Sequence, residues 1–197
     1  GLYLDRAKMI YRVIRRLGYL CDARGRRSDW TGYRMLVVPL LPLVDDPLAE
    51  RLEEFVAGGG ILILHPWCGT KDGESRYYPG RLHPRLERLA GLRLRDYVPL
   101  NPDPETGTLD PENPGQRLRS ETACGLTWEG RDFPADLFAD WIEPREARVE
   151  GVYSRSWFDG RPALMRRDWG QGRVYTLGTF PGEAFYELFL ARRMEDA

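Results

Sequence analysis

The sequence predicts one α/β domain, a mainly parallel, doubly wound sheet with an antiparallel addition at its C-terminal end. Three observations carry that expectation. Two unbroken apolar runs, Met35-Leu-Val-Val38 and Ile61-Leu-Ile-Leu64, have the length and composition of strands buried on both faces, as in parallel sheets. One amphipathic helix lies between them, and a strand–helix–strand unit normally makes a right-handed parallel crossover. The last third changes character. Short strand-like runs are separated by Phe158-Asp159-Gly160 and Gly170-Gln171-Gly172, turn sequences that join antiparallel neighbours.

The elements follow in order. Ala7, Ile10, Val13, Ile14 and Leu17 recur at helical spacing, so residues 5–17 form an amphipathic helix that Gly18 ends. Residues 19–21 are a short strand candidate, and 24–28 a polar loop. After the strand at 35–38, Asp46 is placed as an N-cap with Pro47 at the first helical position. Leu48, Leu52, Phe55 and Val56 give the next helix its apolar stripe, and Gly58-Gly59-Gly60 stops it before the strand at 61–64. Residues 66–81 are a polar, glycine-containing loop. A short helix from His83 to Leu89 ends at Gly91, and Leu92, Leu94 and Asp96 alternate as in a half-exposed strand. Residues 99–134 are expected to be an irregular, proline-rich excursion with short strands within 116–127. Strands follow at 148–153, 162–167 and 173–177. Phe185, Leu188 and Phe189 mark a C-terminal helix. Doubly wound domains usually open on a strand and this chain opens on a helix. The expectation is that the first strand lies before Gly1 and that residues 1–197 are one domain of a longer chain.

Composition narrows the partners. The 197 residues are 42% hydrophobic and 30% charged, enough for one core and a polar surface. The net charge of -1 gives no general attraction to nucleic acid or anionic lipid. No apolar run approaches the roughly 20 residues of a membrane span. Neither nucleic acid nor a membrane is therefore expected as a partner. The basic stretch from Arg6 to Arg27 reads as the solvated face of a helix and its exit loop, with an anion-binding patch as the lesser reading. Cys21, Cys68 and Cys124 are odd in number and widely spaced, which argues against a disulfide framework or a zinc site. They fit a reducing, cytoplasmic compartment. His65 and His83 are the only histidines, too few for a histidine-rich metal site. No metal, cofactor or catalytic residue is assigned.

Two chemical readings remain open on the residues alone. Cys68 follows a buried strand with His65 and His83 near it in sequence, and a Cys–His pair supports thioester chemistry, as in an amidotransferase-like hydrolase. Against it, a nucleophile elbow needs small flanking residues and an immediate helix. Here Pro66-Trp67-Cys68-Gly69-Thr70 runs into a loop. The glycine triplet at 58–60 precedes a strand, so it aims no helix N-terminus at a phosphate. The six tryptophans, at 30, 67, 128, 141, 157 and 169, offer a sugar-binding module as the second reading. Trp67, at a strand exit, and Trp157, beside a turn, are the candidates for exposed contacts.

One resemblance reaches further. The stretch from Tyr33 to Val56, Gly58-Gly-Gly60, Ile61 to Leu64 and Gly69-Thr-Lys-Asp72 resembles the middle domain of glycoside hydrolase family 42 β-galactosidases from bacteria. So do Leu86 to Leu92, Asp96-Tyr97, Gly160-Arg-Pro-Ala163 and Gly170 to Gly178. The resemblance implies a class I glutamine-amidotransferase-like, or flavodoxin-like, fold without amidotransfer. It implies a role in holding a homotrimer together. Hydrolysis of terminal β-D-galactosides would then belong to a TIM-barrel domain elsewhere in the parent chain. It also implies that neighbouring subunits help wall the active site. Trp67, Lys71 and Asp72 of the 66–81 loop, with Trp157, are the expected interface or active-site-lip contacts.

Overall fold

The structure is a computed structural model, and it describes residues 2–100, 124–155 and 158–195. Helix α1 (Leu2–Arg16) leads into strand β1 (Met35–Val38), helix α2 (Asp46–Ala57) and strand β2 (Ile61–Leu64). Helix α3 (Pro84–Ala90) and strand β3 (Leu92–Pro99) follow. The second half contains β4 (Gly125–Trp128), β5 (Arg131–Asp136), β6 (Phe138–Pro144), β7 (Arg148–Ser154), β8 (Pro162–Trp169), β9 (Gly172–Leu177) and β10 (Phe180–Pro181). Helix α4 (Glu183–Glu195) closes the described chain.

The sheet corrects the expected fold class. Eight strands run in the order β1-β2-β9-β8-β7-β4-β5-β10. Only the β1–β2 and β2–β9 pairings are parallel, and the other five are antiparallel. The molecule is thus a mixed, mostly antiparallel sheet, and neither a doubly wound flavodoxin-like sheet nor a glutamine-amidotransferase-like one. The reason is connection length. A parallel neighbour needs a crossover of a dozen or more residues. Such a crossover separates β1 from β2, whereas β4–β5 and β8–β9 are joined by two-residue turns that force reversal. The sheet also curls. Only Gly178 and Thr179 separate β9, third in the order, from β10, eighth in the order. The far edge must therefore fold back toward the end of β9.

Alternation along the strands builds two cores. Ile61, Ile63, Trp128, Tyr153, Tyr175 and Leu177 face α1 and α4, and Phe185 and Phe189 of α4 join the same core. Leu62, Leu64 and Val174 face α2 and α3, against Leu48, Leu52, Val56, Leu86 and Leu89. Two glycine turns seat β9 beside β2. The Gln171 N–H donates to Ala57 O and the Arg173 N–H to Gly60 O. A Cβ on Gly172 would stand 2.2 Å from Gly60 O, so this approach admits only glycine.

Helix α1 begins at Leu2 rather than at residue 5, and the start of α2 moves by one residue. Asp45, not Asp46, is the N-cap of α2, its carboxylate accepting from the Leu48 N–H. Gly91 ends α3 in the left-handed conformation, as expected. Residues 19–21 form no strand, and Leu20 is 92% exposed. Of the expected irregular excursion at 99–134, residues 101–123 lie outside the described residues. Regular structure begins by Gly125, and β5 occupies residues expected to be irregular.

Candidate functional site

The carboxyl ends of β1, β2 and β9 form the edge where α/β sheets usually place ligands. Here a separate two-stranded ribbon, β3 paired with β6, packs across that edge. The Asp140 N–H donates to Gly178 O, just past β9, and the buried Tyr153 hydroxyl donates to the same carbonyl. Non-glycine residues hold positive φ around the same edge: Leu40 at 48°, Trp67 at 68° and Leu137 at 68°. Left-handed backbone costs such residues about 1 kcal/mol each. The packing of the ribbon and strand exits holds them there.

The reactive groups singled out in the sequence are all occupied. Cys68 is buried, its thiol donating to Val38 O at 3.0 Å while its sulfur accepts the Leu41 N–H at 3.4 Å. Burial pushes that thiol up to about 11, away from the thiolate a nucleophile needs. His65 lies 3.1 Å through Nδ1 from Val38 O, a carbonyl that can only accept. Nδ1 therefore carries the proton, and Nε2 accepts from the Tyr186 hydroxyl at 2.9 Å. Burial between Phe180 and Tyr186 lowers the imidazole to about 4, so it is neutral. His83 caps α3: its Nδ1 accepts from the Arg85 N–H, which leaves Nε2–H to donate to Asp46 at 3.2 Å. Neither imidazole bonds the Cys68 sulfur. The Cys–His enzyme reading fails on this geometry, since a general base must reach the proton it takes.

The loop candidates separate into different roles. Trp67 is half-buried, its ring stacked on Phe138 at 5.1 Å and edge-on to Tyr97 at 5.3 Å. It is the joint between β2 and the ribbon. The 66–81 segment is an ordered hairpin, not a loose loop. Gly69 N–H donates to Leu41 O, Lys71 N–H to Pro42 O, Tyr78 N–H to Thr70 O and His83 N–H to Gly69 O. Asp72 closes its turn, accepting the N–H groups of Glu74 and Arg76 and the Arg76 Nε–H. Those bonds, led by the Arg76 amide, lower its carboxyl below the usual range. Lys71 places Nζ 4.6 Å over the exposed Tyr77 ring. Trp157 lies outside the described residues.

Other described tryptophans already have partners. Trp128 is in the core among Phe185 and Phe189. Trp30, Trp141 and Trp169 each lie under an arginine, Arg51, Arg161 and Arg167 respectively. No two of these rings face one another as a sugar clamp among the described ring contacts. Sequence reasoning missed Phe138, Asp140 and Tyr97. Asp140 is 4% exposed and burial raises its carboxyl well above the usual range. An acid among Phe138, Ala139, Trp141 and Ile142 was the available signal, since a lone charge in an apolar strand is either exposed or special.

Comparison with known proteins decides what this architecture is. Residues 2–197 match the profile of the beta-galactosidase trimerisation domain. The chain belongs to that family. Its relatives include beta-galactosidase Bga of Halorubrum lacusprofundi, 29% identical over 175 residues, covering 87% of this chain and 24% of that protein. Beta-galactosidase GanA of Bacillus subtilis is 27% identical over 157 residues, covering 80% and 21%. Among solved structures, Gan42B, a family 42 β-galactosidase, superposes with a TM-score of 0.83 at 26% identity, over 98% of this chain and 26% of that one. The Halorubrum enzyme gives 0.82 at 26% identity, over 98% and 26%. The trimerisation domain spans about a quarter of the relatives' length. The Halorubrum source is a haloarchaeon.

Proposed function

We propose that this trimerisation domain holds three copies of a β-galactosidase together and performs no chemistry itself. Hydrolysis of terminal β-D-galactosides would be carried by a TIM barrel elsewhere in the parent chain. The end-to-end match to the trimerisation-domain profile carries this reading. The occupied state of Cys68, His65 and His83 supports it, because each reactive group is bound into the fold. The ordered hairpin at 66–81 presents Lys71 and Tyr77 outward, with Trp67 and Asp72 fixing its root and turn. These residues are the proposed contacts with a neighbouring copy or with the lip of its active site. Three cysteines, odd in number and widely spaced, fit a reducing, cytoplasmic setting. Among the described residues, no helix is long and apolar enough to cross a membrane.

Assay of the pure chain with a chromogenic galactoside tests the division of labour. No turnover above buffer is expected, with or without thiol alkylation. Thiol-sensitive turnover would return Cys68 to consideration. Thiol-independent turnover would place galactoside chemistry in this domain.

A further inference from the structure

Two buried polar atoms beneath the ribbon have no hydrogen-bond partner among the described residues: Trp67 Nε1 and Asp140 Oδ1. They come from different elements, one from the exit of β2 and one from β6. Strand geometry brings them to one side of the ribbon. Phe138 and Asp140 are two apart on β6 and so project to the same face. Tyr97 is the cross-strand partner of Asp140. The Trp67 ring packs against both Phe138 and Tyr97. The Asp140 carboxyl also acts electrostatically on Cys68, the residue after Trp67.

A buried donor or acceptor left unmade costs roughly 1–3 kcal/mol, and native structures rarely leave two together. The groups are complementary: an indole N–H only donates, and a carboxyl oxygen accepts. Both are shut off from bulk solvent, so an occupant must be small and permanent. We infer that a single internal water molecule binds between Trp67 Nε1 and the Asp140 carboxyl, and that this water fastens the β3–β6 ribbon to the exit of β2. The water accepts from the indole and donates to Asp140. Buried waters of this kind typically satisfy otherwise unpaired groups from separate elements. This water acts on the root of the 66–81 hairpin, which Trp67 carries. Burial raises the Asp140 carboxyl well above its usual range, which favours its uncharged form beside the water.

A crystal structure of the protein at a resolution that shows ordered waters tests the inference. The expected result is one water at about 2.9 Å from both Trp67 Nε1 and an Asp140 carboxyl oxygen. It should be lost in Trp67→Phe, whose ring still stacks on Phe138 but has no donor. A direct Nε1–Oδ1 hydrogen bond, or a dry contact, would overturn it. Denaturant unfolding of Trp67→Phe, Asp140→Leu and the double variant gives a second reading. A shared water makes the second change cost only a small fraction of what it costs alone. Full additivity would count against the site.

Discussion

The two halves of the sheet obey different rules. From β1 to α3 the chain follows its local signals closely. Apolar runs make strands, Asp45 caps α2, glycines stop α2 and α3, and each helix lays its stripe on the sheet. From β3 onward local signals weaken, and tertiary packing decides. The β6 strand carries buried Asp140 beside exposed Trp141, an inversion of the usual polar-out alternation. It is held as a strand because β3 pairs with it along seven register positions and Gly178 accepts its amide. The first half resembles a catalytic α/β edge in outline. The second half supplies the ribbon that closes that edge. A strand exit carrying cysteine and histidine is therefore not evidence of a site until the elements arriving later in the chain are known.

The largest expected effect breaks the first half. Leu52 is 2% exposed in the α2–α3 core, and Leu52→Ala should cost about 4 kcal/mol in denaturant unfolding. The next probes the edge where the halves meet. His65 is neutral when folded and titrates near 4, whereas an unfolded histidine titrates near 6.5. Its contribution is therefore complete above pH 6.5 and is lost as pH falls toward 4, by roughly 3 kcal/mol. Asp140 acts in the opposite direction over this window, because its folded carboxyl stays protonated where the unfolded one ionises. Its contribution grows as pH falls, so the slope should be masked in the native chain. Asp140→Asn should expose the acid loss, and adding His65→Gln should remove about 3 kcal/mol of it. His83, also lowered chiefly by burial, adds a lesser slope of the same sign as His65. Equal pH profiles for the single and double variants would refute the assignment.

Two smaller effects sharpen the comparison. Gly172→Ala, which pushes a methyl into the Gly60 carbonyl, should cost about 2 kcal/mol and loosen the parallel β2–β9 pairing. Hydrogen exchange at Arg173 should rise with it. Asp45→Ala removes the α2 cap and should cost about 1 kcal/mol. Thermal unfolding would show both, in that order.

Legibility in the sequence followed the same division. The β1–α2–β2 unit, the α3 cap at Gly91 and the hairpin turns at Gly160 and Gly170 were readable because each depends on residues close in sequence. The predominance of antiparallel pairing was not, because the parallel motif came first and suggested its own continuation. β5 and β6 were missed because Pro134, Asp136 and Asp140 break the alternation by which strands are recognised. At the site, Trp67 was read as an exposed contact, whereas Phe138 and Tyr97, distant in sequence, pack against it and leave it half-buried. Cys68 and His65 are three residues apart and bond the same carbonyl, Val38 O, while making no pair with each other. Closeness in sequence gave proximity without chemistry.

The central claim is that this domain works by assembly. Light scattering during size-exclusion chromatography measures it directly. The account predicts a mass about three times the 22.7 kDa of the chain, falling toward one third of that when Lys71 and Tyr77 at the hairpin are replaced. A stable monomer at high protein concentration would contradict it.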